Sequence, residues 1–139
     1  FTLNDQDGNQ HELKHYKGKK LVIYFFPKVF TPGWTKQACG LRDNYTSFKT
    51  NNISILGVSY DSQMQLKEFK EKYDLEFDLL SDSEKTMGKL YGVNSFYFFP
   101  QRKTFLINEE GKLVHIIDSV NINSHANDIL EIFKKIQGA

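Results

Sequence analysis

Apolar and polar positions alternate along this chain with two different periods. LVIYFF (21–26) is a continuous apolar run between KGKK and Pro27, and it predicts a buried strand. ISILGVSY (53–60) predicts another. KTFLIN (103–108) and KLVHIID (112–118) flank EEG and predict a hairpin with Gly111 in the turn. Helical spacing appears between these runs. Trp34, Ala38, Leu41, Tyr45 and Phe48 recur at intervals of 4, 3, 4 and 3, so they share one face of a helix that reaches about Asn51. Ser62 is placed to cap a second helix through Tyr73, with Leu66, Phe69 and Tyr73 inward. Ser83 and Glu84 open a third, through Leu90 and Tyr91, that stops near Gly92. The last runs from about Ser124 to Ile136, with Ile129, Ile132, Phe133 and Ile136 apolar.

Strand, helix, strand and helix, then a hairpin and a final helix, predict an α/β sandwich around a central mixed sheet. The early strand–helix–strand unit is expected to be parallel and right-handed, with its functional end at the carboxyl termini of the strands. Phe26 to Trp34 falls at that end. Without an internal repeat or a linker-like stretch, residues 1–139 are expected to form a single domain.

Composition narrows the function classes. A chain of 139 residues buries about two-thirds of its unfolded surface. Twelve Phe and seven Tyr against one Trp predict a ring-rich core. A net charge of +1, with acids and bases interspersed, argues against nucleic acid and against a polybasic membrane patch. No apolar run approaches the roughly 18 residues a membrane span needs. Cys39 is the only cysteine, so stability is expected to come from the core, as in a reducing compartment, and the expected location is the cytoplasm. The chain begins at Phe1 rather than Met, which reads as a trimmed segment and leaves an organellar leader open. The spacings of His11, His15, His115 and His125 fit no zinc or facial-triad site, and no metal is expected. His115 and His125 read as structural.

The chemistry concentrates in FFPKVFTPGWTKQACGLRD, residues 25–43. Pro27 ends the strand because it cannot donate to the ladder. Thr31 and Pro32 form a good cap and first-position pair for the helix that follows. Position 34 then lies in the first turn, beside unpaired backbone N–H groups and the positive end of the helix dipole. A thiol there would ionise more easily, and the same donors would hold a peroxide oxygen. The plain alternative is a capped helix start, as in any α/β protein.

YFFPKVFTPGWTKQACGLRDNY resembles the active-site segment of peroxiredoxins of the bacterioferritin-comigratory, or Q-type, branch, whose pattern is P-x-x-x-T-P-G-C-T-x-x-A-C after a strand. FTLNDQDG resembles the opening hairpin of that family, ILGVSYDS its second strand, FDLLSD its third, and RKTFLINEEGKLVHI its arginine-bearing hairpin. The resemblance spans essentially the whole chain. It implies a thioredoxin-like fold, with a central mixed sheet flanked by helices on both faces. It also implies reduction of hydroperoxides by a peroxidatic cysteine, with thioredoxin or a similar dithiol as reductant, no cofactor, and a monomer or weak dimer. Carried over, Pro27 shields the nucleophile, Thr31 hydrogen-bonds thiolate and peroxide, and Arg102 holds the thiolate and polarises the O–O bond. Cys39 falls where the branch often keeps its resolving cysteine. The nucleophile falls on Trp34, and Val29 stands where a polar residue is usual.

Indole offers an N–H donor and nothing that ionises near neutral pH. The chain as written is therefore expected to be inactive by the usual route, which needs a sulfur that becomes a sulfenic acid and is then resolved. Three explanations compete: a substitution of cysteine, a natural pseudoenzyme, or a selenocysteine whose UGA codon lies one base from the Trp codon. A replaced cysteine or selenocysteine is the preferred one. Cys39 cannot take over in an intact helix, where residues five apart are roughly 8–9 Å between Cα atoms and a disulfide needs under about 7 Å. FYFFP (96–100) is expected to wall the pocket. A non-catalytic module that binds a partner through this Phe-rich rim is the alternative from a different class.

Overall fold

The computed structural model describes residues 2–26, 28, 32–93, 103–117 and 124–137, with backbone alone at 32–34 and 136–137. Among these residues a seven-stranded sheet has the order β2-β1-β5-β4-β3-β6-β7. Its strands are β1 (Thr2–Asp5), β2 (Gln10–Glu12), β3 (Lys20–Phe25), β4 (Ile53–Ser59), β5 (Asp78–Ser81), β6 (Thr104–Ile107) and β7 (Leu113–Ile117). The sheet is mixed as expected: β3, β4 and β5 run parallel, whereas β1–β2, β1–β5, β3–β6 and β6–β7 pair antiparallel. β3 is buried throughout, which is why its sequence is unbroken apolar rather than alternating. Gly111, at φ +80°, turns the β6–β7 hairpin.

Among the described residues five α-helices accompany the strands: α1 (Pro32–Asp43), α2 (Tyr45–Thr50), α3 (Gln63–Lys72), α4 (Thr86–Leu90) and α5 (His125–Gln137). On one face of the sheet, Val22, Tyr24 and Phe26 pack with Ala38, Leu41, Phe48, Leu66, Phe69, Ile129 and Phe133 from α1, α2, α3 and α5. On the other, Leu21, Ile23, Phe25, Val58 and Phe105 pack with Met87 of α4 and with Leu13 and Tyr16 of a short 3-10 turn. Helices thus cover both faces, four on one and one on the other.

Two expected helices differ from the reading of the sequence. The first does not run unbroken to Asn51 but stops at Asp43 and restarts at Tyr45. Asn44 carries the break: its side chain donates to the Gly40 carbonyl at 2.8 Å, competing with the backbone ladder as short amides do. The apolar face survives the break, with Ala38, Leu41 and Phe48 fully buried and Tyr45 packed against them. The third helix begins at Thr86, not Ser83, because Lys85 sits in the left-handed region at φ 62°. Its start is capped from outside by Asp82, whose carboxylate accepts from the Met87 and Gly88 amides. The second helix starts as expected, with Ser62 and Gln65 forming a reciprocal capping box. Ile129, Ile132 and Phe133 of α5 face the core, and the Ile136 side chain lies outside the described residues.

Candidate active site

β3 delivers the chain to the site. Its last residue, Phe25, and Phe26 just beyond it are fully buried, and α1 begins at Pro32, the position its fixed φ suits. Position 34 is thereby in the first turn of α1, although the Trp34 side chain is outside what is described. Pro27, Val29, Thr31, Arg102 and the FYFFP segment also lie outside the described residues.

The backbone around them is informative. Tyr24 of β3 pairs with Thr104 of β6, and the Phe25 amide donates to the Lys103 carbonyl at 2.8 Å. The residue that follows Arg102 is therefore stitched to the strand end two residues before Pro27. The two segments expected to carry the chemistry leave the sheet from adjacent strands at the same end.

Beneath that end lies a buried polar relay. Gln37 of α1 donates from Nε2 to His125 Nδ1 at 2.9 Å, and the other ring nitrogen, Nε2, lies 2.8 Å from the Thr104 hydroxyl. All three residues are buried, and the Tyr24 ring meets the His125 ring edge-on at 5.9 Å. An amide nitrogen only donates, so Nδ1 is the acceptor and the ring proton sits on Nε2, facing Thr104. His125, expected to be structural, is thus buried and engaged at both ring nitrogens; Gln37 and Thr104 were not singled out in the sequence. Cys39 is half-buried on α1, and Arg42 is tied to the Asp43 carboxylate at 3.1 Å and to the Tyr73 carbonyl at the end of α3 at 2.8 Å.

Among the described residues, Asp5, His11 and Asp78 come closest to a metal-ligand set, with ligand atoms within 4.8 Å of one another. Each is already engaged by protein. His11 sits between Asp5 Oδ2 at 2.8 Å and the Tyr16 hydroxyl at 2.6 Å. Asp5 also accepts from the Asp7 and Asn9 amides, while Asp78 accepts from Lys70 at 2.9 Å and Gln6 at 3.1 Å. The arrangement acts as a lock between the opening hairpin and β5. Burial by itself raises the Asp78 carboxyl, but the Lys70 and Gln6 hydrogen bonds and the Lys70 charge outweigh it and leave the group below its ordinary value. A depressed carboxyl contributes stability above its unfolded pKa and loses it as pH falls through the folded pKa. Lys70→Met should cost about 0.5–1 kcal/mol at neutral pH, the screened scale for a partly exposed pair. In urea denaturation, its deficit should shrink as pH falls below the ordinary Asp value of 3.8 and through the depressed folded value; a constant deficit would show that Lys70 acts through packing alone.

With this geometry established, comparison with known proteins is decisive. The model of the AhpC/TSA family matches residues 1–116. The chain belongs to that family. Peroxiredoxin Bcp of Escherichia coli is 39% identical over 142 residues, which cover 97% of this chain and 91% of that protein. PrxQ from Xylella fastidiosa, solved as a cysteine-to-serine mutant, matches with a TM-score of 0.93 at 28% identity, covering 99% of this chain and 89% of that one. The bacterioferritin comigratory protein of Xanthomonas campestris, solved as trapped intermediate and ligand complexes bearing on its alkyl peroxide reduction activity, matches with a TM-score of 0.90 at 31% identity, covering 97% and 90%. The expected place among peroxiredoxins of the Bcp or Q type is borne out, and with it the thioredoxin-like fold. No helix of the described residues is long and apolar enough to cross a membrane.

Proposed function

We propose that this peroxiredoxin chain is built to reduce hydrogen peroxide and alkyl hydroperoxides with a sulfur or selenium nucleophile at position 34, and that Trp34 silences it as written. The observation that carries the reading is the strand pairing just described: Lys103, next to Arg102, is bonded to Phe25 at the strand end that leads into Pro27 and α1.

In the proposed reaction, a thiolate or selenolate at position 34 attacks one peroxide oxygen. The O–O bond breaks, the other oxygen leaves as water or alcohol, and the nucleophile becomes a sulfenic or selenenic acid. Pro27 keeps water from the nucleophile. Thr31 hydrogen-bonds the anion and the incoming peroxide, and Arg102 stabilises both the anion and the charge that develops on the leaving oxygen. The first-turn amides of α1 add to the same field. Cys39 then resolves the oxidised centre, and thioredoxin or a similar dithiol reduces the resulting bond. No metal or cofactor enters the scheme. The protein works as one domain, as a monomer or weak dimer, in the reducing environment of the cytoplasm.

An indole at position 34 has no lone pair to give to the peroxide, so the threonine, arginine and helix end stabilise a charge that never forms. We read Trp34 as the replacement of a cysteine or a selenocysteine; the codon at this position in the source genome separates the two. The test is a peroxide-consumption assay on this chain beside its Trp34→Cys variant. Activity in the variant alone supports the reading. Silence in both, with the fold intact, favours a non-catalytic binding module.

A further inference from the structure

We propose that Gln37, His125 and Thr104 are positioning residues that latch the first turns of α1 in their wound state, and so set how readily Cys39 reaches position 34. The inference rests on the peroxidase reading only for its catalytic consequence; the latch itself is a property of the fold.

Gln37 lies between position 34 and Cys39 on α1. Those two positions are too far apart for a bond while the helix is wound, so the turn that contains Gln37 has to open. Opening pulls the Gln37 amide from His125, a ring that stays behind, held at its other nitrogen by Thr104 and walled by Tyr24. Gln37 is 1% exposed and His125 3%, so water does not reach the vacated ring nitrogen without further opening. Stripping a donor from such a buried group shifts the opening equilibrium by about tenfold. An apolar side chain at position 37 would fill the same space without favouring one depth or rotation of α1. The relay does, because its two hydrogen bonds are satisfied in one arrangement of α1, α5 and β6.

The other end of the relay matters too. Thr104 is two residues beyond Arg102 and is paired with Tyr24 across the sheet. One relay therefore references the helix that carries the nucleophile position to the strand that follows the arginine. In the Trp34→Cys variant, peroxide oxidises the new sulfur to a sulfenic acid and leaves as water or alcohol. The Cys39 thiol then attacks that sulfur, the S–S bond forms, the S–O bond breaks, and the hydroxyl leaves as water with the thiol proton. The latch acts on this second step.

The experiment begins with the chain as it is. Amide exchange of residues 36–41 is compared between the parent and Gln37→Met, with Thr104→Val cutting the relay at its far end. Both replacements nearly preserve volume. The expected result is about tenfold faster exchange in α1 for Gln37→Met and a smaller acceleration at the same amides for Thr104→Val. Unchanged exchange in α1 in both variants, whatever the amides of β3 and β4 do, overturns the latch, because opening would then leave the relay intact. The second arm introduces Gln37→Met alongside Trp34→Cys and follows sulfur oxidation and disulfide formation separately. Disulfide formation should speed up about tenfold relative to oxidation; an unaltered ratio overturns the catalytic consequence. A Trp34→Cys variant inert to peroxide defeats the peroxidase reading alone and leaves the exchange result standing.

Discussion

Trp34→Cys is expected to consume hydrogen peroxide with a dithiol reductant, at a rate on the order of 10⁴–10⁶ above the parent chain, the scale lost when a covalent nucleophile is removed from an enzyme. The size of the gain follows from what is already in place. The chain enters α1 at Pro32, so a thiol in its first turn meets the unpaired amides and the dipole that favour its anion. The segment after residue 102 is fixed against the end of β3 by the bond from the Phe25 amide to the Lys103 carbonyl. Adding Arg102→Ala to Trp34→Cys should remove about two to three orders of magnitude of the restored rate, the loss typical of deleting a donor aimed at developing charge. Undiminished turnover in the double variant would show that another cation serves the site. Steady-state peroxide consumption measures both effects, and a far-ultraviolet spectrum checks that each variant is folded.

Much of the architecture was legible because it depends on local pattern. The unbroken apolar run of β3, the Ser62 cap and the Gly111 turn each follow from a few neighbouring residues, and each is found where the pattern puts it. The two displaced helix boundaries have local causes as well, but subtler ones. The Asn44 side chain turns back on Gly40, and Lys85 takes a left-handed backbone that its residue type does not announce. The candidate site could be proposed from a motif, but the residues that support it could not. Gln37, Thr104 and His125 stand 67 and 21 residues apart in sequence, and only the closing of α1 and α5 over β6 brings them together. The Asp5–His11–Asp78 lock is the same kind of feature: the hairpin brings the first two residues together, but Asp78 arrives from β5. Spacing rules for metal-binding histidines are blind to such a grouping, since they read one segment at a time.

Gly57→Ala is expected to destabilise the protein by about 2–3 kcal/mol, the upper part of the range for overpacking. Gly57 lies in central strand β4, paired with Tyr24 on one side and Leu79 on the other. A Cβ there would stand 2.9 Å from the Tyr24 hydroxyl, 3.0 Å from its ring carbon and 2.9 Å from a Leu79 methyl. Neither neighbour can yield easily: both are 0% exposed, and the Tyr24 ring is hemmed in by Phe26, Phe77 and His125. The midpoint of urea unfolding should fall with its slope unchanged, as for a loss of native packing rather than a change in the unfolded chain. Tyr24→Phe, which deletes the atom at 2.9 Å, should cost less in the Gly57→Ala background than alone, giving a coupling in the range typical of residues in contact. Additive effects would mean that the strand, not the ring, absorbs the clash. Because Tyr24 also walls His125, the damage should reach the relay: Gly57→Ala should speed amide exchange in the first turns of α1, which connects a missing side chain in the middle of the sheet to the helix that carries position 34.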